Sequence, residues 1–327
     1  MVDYSKASEK ELAFIERKNE YITSQNKFTA ISGLPIAYWA SDTIRETFTK
    51  NQKLDSYAEP RVGLQTGDNN RFLRLWHEVP YVKIGFSCKN TRSAVESNKK
   101  WFPYNKGGTF RKWYGNQDYV VNWEHDGKEI KDFGHYLNSI KKPSSRMGIA
   151  NNSDFYFKES ITWSALSTGA FGARYSPEGF IFDTKGSSMF IEERGSLLTM
   201  LSFLLSKVCS NFLTFLSPTL DYGVGQLNRL PIGPIHCNEN IINLASENIN
   251  IAEEDWRAFE VSWDFQKHPF ILYRGQDGTD LKDCYYNWKE YTEVNFRQLQ
   301  QNEEELNKVF IELYDLQDEL TPEVSEE

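Results

Sequence analysis

Cysteine and histidine are scarce in this 327-residue chain, and neither is grouped. The four cysteines (Cys88, Cys209, Cys237, Cys284) contain no closely spaced pair, and the five histidines (His77, His125, His135, His236, His268) show no metal-ligand spacing. A zinc site needs two ligand pairs, and His236 with Cys237 is at most one. The pattern predicts free thiols, a cytoplasmic location and no metal. A long uncharged apolar run is also missing. The most apolar stretch, 197–216, carries Lys207 and Asn211 near its middle, so it reads as one buried helix and predicts no membrane association. Residues 1–27 are polar and charged, and no signal peptide is expected there.

Catalytic motifs are equally thin. There is no Gly-x-Ser-x-Gly elbow and no Gly-x-x-x-x-Gly-Lys-Ser/Thr loop. Asp221-Tyr222-Gly223-Val224-Gly225 has the acidic, Gly-x-Gly character of a turn that holds S-adenosylmethionine. Pro218 breaks the strand that should precede it, and no Asn-Pro-Pro-Tyr or Asp-Pro-Pro-Tyr occurs to grip a flipped adenine. Thr168-Gly169-Ala170-Phe171-Gly172 follows no acidic strand end. Asp118, Glu129 and Lys131 have the loose spacing of a metal-dependent nuclease but are three common residues in a polar stretch. These absences predict a chain that is not an enzyme by itself and holds no cofactor.

Charge of one sign is not missing, but it is segregated. The net charge is −9, yet residues 237–327 hold 22 acidic and 7 basic residues, which leaves +6 on residues 1–236. Between Lys83 and Arg146 there are 13 basic and 6 acidic residues. With 39% hydrophobic and 15% aromatic residues the chain can bury a sizeable core. The basic segment contains the densest mixture of cations and rings, residues 99–123: Trp101, Phe102, Tyr104, Phe110, Trp113, Tyr114, Tyr119 and Trp123 among Lys99, Lys100, Lys106, Arg111 and Lys112. A surface that tracks phosphates and packs on bases wants both kinds of side chain. A hairpin with its rings in the core and its cationic stems turned outward has the same composition.

Along the chain, 5–26 reads as a polar helix with a Ser-x-x-Glu start. Gly33 and Pro35 punctuate the next segment, and Ser41 caps a helix reaching Lys50. Residues 61–79 read as a strand, a polar turn at 66–70, and a strand or short helix. Residues 123–133 read as two strands about an Asp126-Gly127 turn. Lys141 to Asn152 is a basic surface loop, 155–166 and 180–191 are strands, and 285–320 is a helix with Leu299, Leu306, Leu313 and Leu320 on one seam. The expected organisation is a linker helix (1–27), a main domain (28–236) and an acidic, mainly helical segment (237–327).

Several stretches together resemble the C-terminal part of the BREX phage-defence adenine methyltransferases, the PglX family, themselves related to fused restriction-modification methylases with TaqI-like specificity domains. They include Ala37-Tyr38-Trp39-Ala40-Ser41, the run Gly63 to Phe72, Lys100 to Gly108, Phe110 to Gly115, Ile161-Thr162-Trp163-Ser164, Gln226 to Ile232, Ser262-Trp263-Asp264-Phe265 and Tyr314 to Glu323, in colinear order. The resemblance implies an α+β fold, a mixed α/β target-recognition domain with twisted sheets followed by the acidic helical tail. It implies double-stranded DNA as ligand, with the methyltransferase domain or other defence-system proteins as partners. S-adenosylmethionine would belong to the methyltransferase domain, which lies upstream in the family. On this reading Gln65, Asn69, Asn70, Arg71, Asn116 and Gln117 read base edges. Lys99, Lys100, Lys106, Arg111, Lys112, Lys141, Lys142 and Arg146 hold phosphates, and Trp101, Tyr104, Trp113 and Tyr114 pack on DNA. The competing reading is a non-catalytic interaction or scaffold module, its acidic tail meeting protein through the leucine seam.

Overall fold

A computed structural model describes residues 7–18, 20–24, 29–31, 37–166, 169–219, 221–234, 238–274 and 280–325. The His236-Cys237 pair, the Gly33 and Pro35 punctuation, the Ser5 to Lys6 start of the first helix and Thr168 lie outside these residues. Helices occupy Ala7–Ile15 (α1), Asp42–Lys50 (α2), Asn69–Phe72 (α3), Thr91–Glu96 (α4), Glu124–Ile140 (α5) and Arg194–Leu205 (α6). They continue with Lys207–Leu216 (α7), Val224–Leu227 (α8), Glu239–Arg257 (α9), Pro269–Leu272 (α10) and Leu281–Leu313 (α11). Strands are Gln52–Lys53 (β1), Glu59–Arg61 (β2), Leu73–Leu75 (β3), Trp101–Asn105 (β4) and Tyr119–Asn122 (β5). The remainder are Ser160–Trp163 (β6), Ala173–Ser176 (β7), Ile181–Phe182 (β8), Ser188–Phe190 (β9) and Pro231–Ile232 (β10). The fold is α+β.

Two four-stranded sheets form the centre, in the orders β2-β9-β6-β7 and β3-β5-β4-β8, and β1 pairs with β10. On one face of the first sheet Ile161, Trp163, Ala173 and Met189 join the largest apolar cluster, which also takes in α6, α7, α9 and α11. The other face turns towards the second sheet, where the Phe182 and Phe190 rings meet 5.3 Å apart and Asn105 Nδ2 donates to Ser176 Oγ at 2.8 Å. This face is unusually polar. The register aligns Arg61, Ser188, Thr162 and Arg174 in one row across β2, β9, β6 and β7. Arg174 is 1% exposed, and its Nε and Nη1 find no hydrogen-bond partner among the described residues. Burial pushes its guanidinium down to about 10, Arg111 adds to the effect, and Asp118 opposes it. Arg174 is therefore still charged at neutral pH.

Local chemistry explains several element boundaries, including two that differ from the expectation. Ser41 caps α2 as predicted, accepting from the Ile44 N–H at 3.1 Å. The apolar run 197–216 is not one helix: α6 and α7 are bent by 67° at Ser206. That residue is extended, and its hydroxyl accepts from the Cys209 N–H at 3.2 Å, so a cap residue starts a new helix inside the hydrophobic run. No single helix among the described residues is long and apolar enough to cross a membrane.

The predicted hairpin at 123–133 is instead the beginning of α5. His125, Asp126 and Gly127 all take left-handed φ values (53°, 58° and 66°), after which Ile130, Phe133 and Leu137 turn inward at helical spacing. A Cβ at Gly127 would stand 2.4 Å from the Trp123 ring, so only glycine fits this close approach. Asp-Gly did mark a turn, but one that opens a helix.

The leucine seam of α11 meets its partner inside the chain. Leu306 and Leu316 are buried and Leu299, Val309, Leu313 and Leu320 pack on the main apolar cluster, with Phe203 and Phe310 rings 5.7 Å apart. The seam therefore lies against α6, α7 and α9 rather than awaiting another protein, and one apolar cluster draws residues from both the 28–236 and the 237–327 segments. A polar tie joins α11 to the 109–118 loop. Glu303 accepts from Trp113 Nε1 through one oxygen and from Lys112 Nζ through the other, each at 2.7 Å. Trp113 has a φ of 66°, a strained value for a bulky residue, and its backbone is held on both sides by bonds to Ala173 and Tyr175.

Replacing Glu303 with Ala strands a buried indole N–H and a half-buried ammonium. The expected loss of unfolding free energy is about 3 kcal/mol in urea titrations. A loss below about 1 kcal/mol would show that the tie is dispensable. Asp118 yields a pH prediction, because burial raises its carboxyl above the usual range against the pull of Arg111 and Arg174. A raised folded pKa makes stability greatest below the unfolded carboxylate value, about 3.9, and lowers it as pH rises through the folded value. The Asp118→Asn variant should lack that decline, and an unchanged stability–pH curve would contradict it.

Candidate nucleic-acid interface

The turn predicted at 66–70 is a capped helical turn. Asp68 accepts from the Arg71 N–H at 3.1 Å and starts α3, while Gly67 takes a φ of 75°. Thr66 Oγ1 bonds Asn69 Oδ1 at 2.6 Å, which orients the amide and leaves its NH₂ available. Across from this turn stands buried Asp183, whose Oδ2 accepts from Tyr104 at 2.7 Å and Lys106 at 2.6 Å. Its Oδ1 accepts from the Lys185 N–H at 2.6 Å. The carboxylate is thus saturated by groups that hold Lys106 in place.

Together Gln65, Thr66, Gly67, Asn69, Lys106, Asp183, Thr184 and Lys185 line a polar cavity of about 270 Å³. Pockets that enclose drug-sized ligands run from roughly 300 to 1,000 Å³, so this one suits an edge of a larger molecule. Its available groups are the Lys185 ammonium and two amides, with the Lys106 ammonium engaged by Asp183, and these match acceptor-rich purine edges or phosphate oxygens. The basic loop adjoins it. A Cβ at Gly67 would lie 2.8 Å from Leu137 and 3.4 Å from Met147, while Asn151 and Asn152 donate to the carbonyls of Gly63 and Val62. Lys141, Lys142 and Arg146 are exposed on this loop, and Asn138 fixes its base through two 2.9 Å bonds to the Met147 backbone.

Three separated segments that the sequence singled out therefore converge: 65–71, Lys106 and 141–146. Lys185, Thr66 and Thr184 were missed. The Asp183-Thr184-Lys185-Gly186 run following a strand was the available signal.

Other expected residues are placed elsewhere. Trp101, Tyr104, Trp113 and Tyr114 are buried, at 9%, 0%, 1% and 3% exposure, so their rings pack the core and cannot stack on DNA. Of the two compositions considered for 99–123, the core hairpin describes these four rings, whereas Phe110 stays exposed. Asn116 and Gln117 are buried as well: Asn116 Nδ2 donates to the Thr109 carbonyl at 2.9 Å, and Gln117 accepts from Tyr114. They position the loop rather than face a ligand. Lys112 is engaged by Glu303, and Arg111 lies 3.5 Å from Asp255 and over the Trp256 ring.

Arg71 donates twice to Glu129, and the pair holds that carboxyl below its usual range. Lys99 bonds the Val82 carbonyl at 2.6 Å, and Lys100 lies 3.8 Å from Glu124, both beside the start of β4. Lys106 follows the other end of that strand, about 17 Å away at 3.3 Å per residue. Asn70 is exposed beside the cavity without lining it. Groups of three or more metal-ligating side chains are absent among the described residues. Cys88, Cys209 and Cys284 are buried free thiols.

The chain is similar to a part of the adenine-specific methyltransferases of the PglX type. Over 333 aligned positions it is 41% identical to the adenine-specific methyltransferase PglX of Lacticaseibacillus casei (strain Zhang), covering 99% of this chain and 27% of that protein. It is 33% identical over 302 positions to the adenine-specific methyltransferase BrxX of Escherichia coli O9:H4 (strain HS), covering 91% of this chain and 23% of that protein. The chain spans about a quarter of the length of these relatives and is similar to a C-terminal part of them. No family model matches it.

The geometry separates two kinds of lysine. Lys106→Met should lower stability by about 2 kcal/mol, because Asp183 loses its cation inside the protein. Lys142→Ala should change stability by less than about 0.5 kcal/mol. Equal thermal shifts for the two variants would refute the distinction.

Proposed function

We propose that this chain is the DNA target-recognition part of an adenine-specific methyltransferase of a phage-defence system and leaves methyl transfer to other parts of such an enzyme. The observation that carries the reading is the convergence of Gln65, Asn69, Lys106 and Lys185 on one open polar cavity beside the loop bearing Lys141, Lys142 and Arg146. Cations on a surface loop set the register of a duplex, and amides at a cavity edge discriminate bases. The names of the relatives support adenine-specific methylation as the wider setting. The chain has no tetrapeptide able to grip a flipped adenine, which supports a non-catalytic role.

Two classes of variant test the reading. Removing Lys141 and Lys142 together should weaken all duplexes alike and reduce the slope of log affinity against log salt by about 0.9 for each phosphate no longer neutralised. Asn69→Ala should cost about 1–3 kcal/mol on the preferred sequence and little on others, measured by mobility shift at two salt concentrations. Salt-independent binding, or an Asn69→Ala effect equal on all sequences, would refute it. Stoichiometric binding of labelled S-adenosylmethionine by this chain would refute the non-catalytic part.

A further inference from the structure

A second concavity lies between the 110–113 loop and helices α9, α10 and α11, and it differs chemically from the polar cavity. Its volume is about 1,400 Å³, above the range of small-molecule pockets, and Phe110, Leu272, Trp288, Tyr291 and Phe296 line it. Phe110, Leu272 and Phe296 are 52%, 59% and 50% exposed. Phe259, Ile271, Tyr285 and Val294, near in sequence to lining residues, are also exposed. Scattered exposed apolar residues are ordinary, but a contiguous aromatic and aliphatic cleft of this size marks a contact surface.

The charge pattern selects the class of occupant. The lining contains five acidic and five basic side chains, so it offers a polyanion no net attraction. Two of the cations, Arg111 and Lys112, already face Asp255 and Glu303. Polypeptide with apolar anchors fits such a cleft, and nucleic acid does not. Of the leucine seam, Leu299 lines this cleft, while Leu306 and Leu313 lie further along α11 with the main apolar cluster. In the two relatives about three quarters of the polypeptide lies outside the matched region, ample to supply the missing surface.

We propose that the cleft between the 110–113 loop and α9–α11 is the docking site for the methyltransferase portion of the longer enzyme. Contact there would set the recognition cavity at a defined position relative to the catalytic centre. The proposal rests on the target-recognition reading only for the purpose of this contact, since the contact itself can be detected without DNA.

The test uses a full-length chimera, the L. casei relative with its matched region replaced by this chain, carrying a photo-crosslinking phenylalanine at position 272, 296 or 142. Light at 272 and 296 should join the cleft to peptides from outside the matched region, and light at 142 should not. Crosslinks confined to this chain, crosslinks to a second copy in a mixture of heavy and light protein, or no crosslinks would overturn the proposal. In a second arm, Leu272→Asp with Phe296→Asp should cut site-specific methylation by the chimera at least about tenfold, or about 1.4 kcal/mol. DNA affinity of the chain alone should be unchanged, and an equal fall in that affinity would assign the cleft to DNA and overturn the proposal. Failure of the separate salt-dependence test would instead leave the crosslinks intact and remove only the DNA reading.

Discussion

The contact on which the arrangement depends is the Glu303 carboxylate, set deep in the molecule between the 109–118 loop and α11. One oxygen takes the Trp113 indole N–H and the other the Lys112 ammonium. A carboxylate buried without such donors would cost several kcal/mol, and an indole N–H sealed without an acceptor would carry its own penalty. Each group makes the other tolerable. The bonds also keep Trp113 in a backbone conformation that a bulky residue avoids, and the flanking bonds to β7 complete the restraint.

This contact gives the segregated charge of the chain a meaning different from the one its composition suggests. The acidic C-terminal third does not stand apart from a basic binding domain, because its helices supply counter-charges to part of the basic segment. Glu303 meets Lys112 and Asp255 faces Arg111, while α9 and α11 share the apolar core with the first sheet. Pairing removes those cations from any field reaching solvent. Lys141, Lys142, Arg146 and Lys185 remain exposed, while Lys106 is anchored by Asp183. The unpaired positive charge of the basic segment is thus smaller than a count along the chain suggests.

The two concavities differ in chemistry. The small one is lined by amides and ammonium groups on turns held by capped backbone, which suits directional hydrogen bonding. The large one has aromatic walls and balanced charge, which suits packing. Neither is lined by the polar layer of the first sheet, where the charged guanidinium of Arg174 is enclosed and only partly compensated by Asp118. Unsatisfied polar groups inside a protein are strong candidates for buried water, and this row is where the structure has most need of it.

What the linear order of residues determined here follows from short-range chemistry. Ser41 as a cap, the burial of the 197–216 run though not its break at Ser206, the Asp68 turn and the helical C-terminal third each depend on neighbours a few positions away, and each was legible. The family resemblance likewise rested on colinear motifs rather than on any single site. Less was legible wherever two distant segments share one group. The rings of Trp101, Tyr104, Trp113 and Tyr114 face inward because sheet register and Glu303 place them there, and Asn116 and Gln117 are sealed by their own loop. The convergence of Gln65, Asn69 and Lys106 depends on Asp183, more than seventy positions from Lys106, taking both the tyrosine and lysine donors. Composition can say that a segment carries cations and rings. Which of them meet water is decided only when remote acids and strands arrive to desolvate some and leave others free, because burial and pairing are properties of neighbours in space.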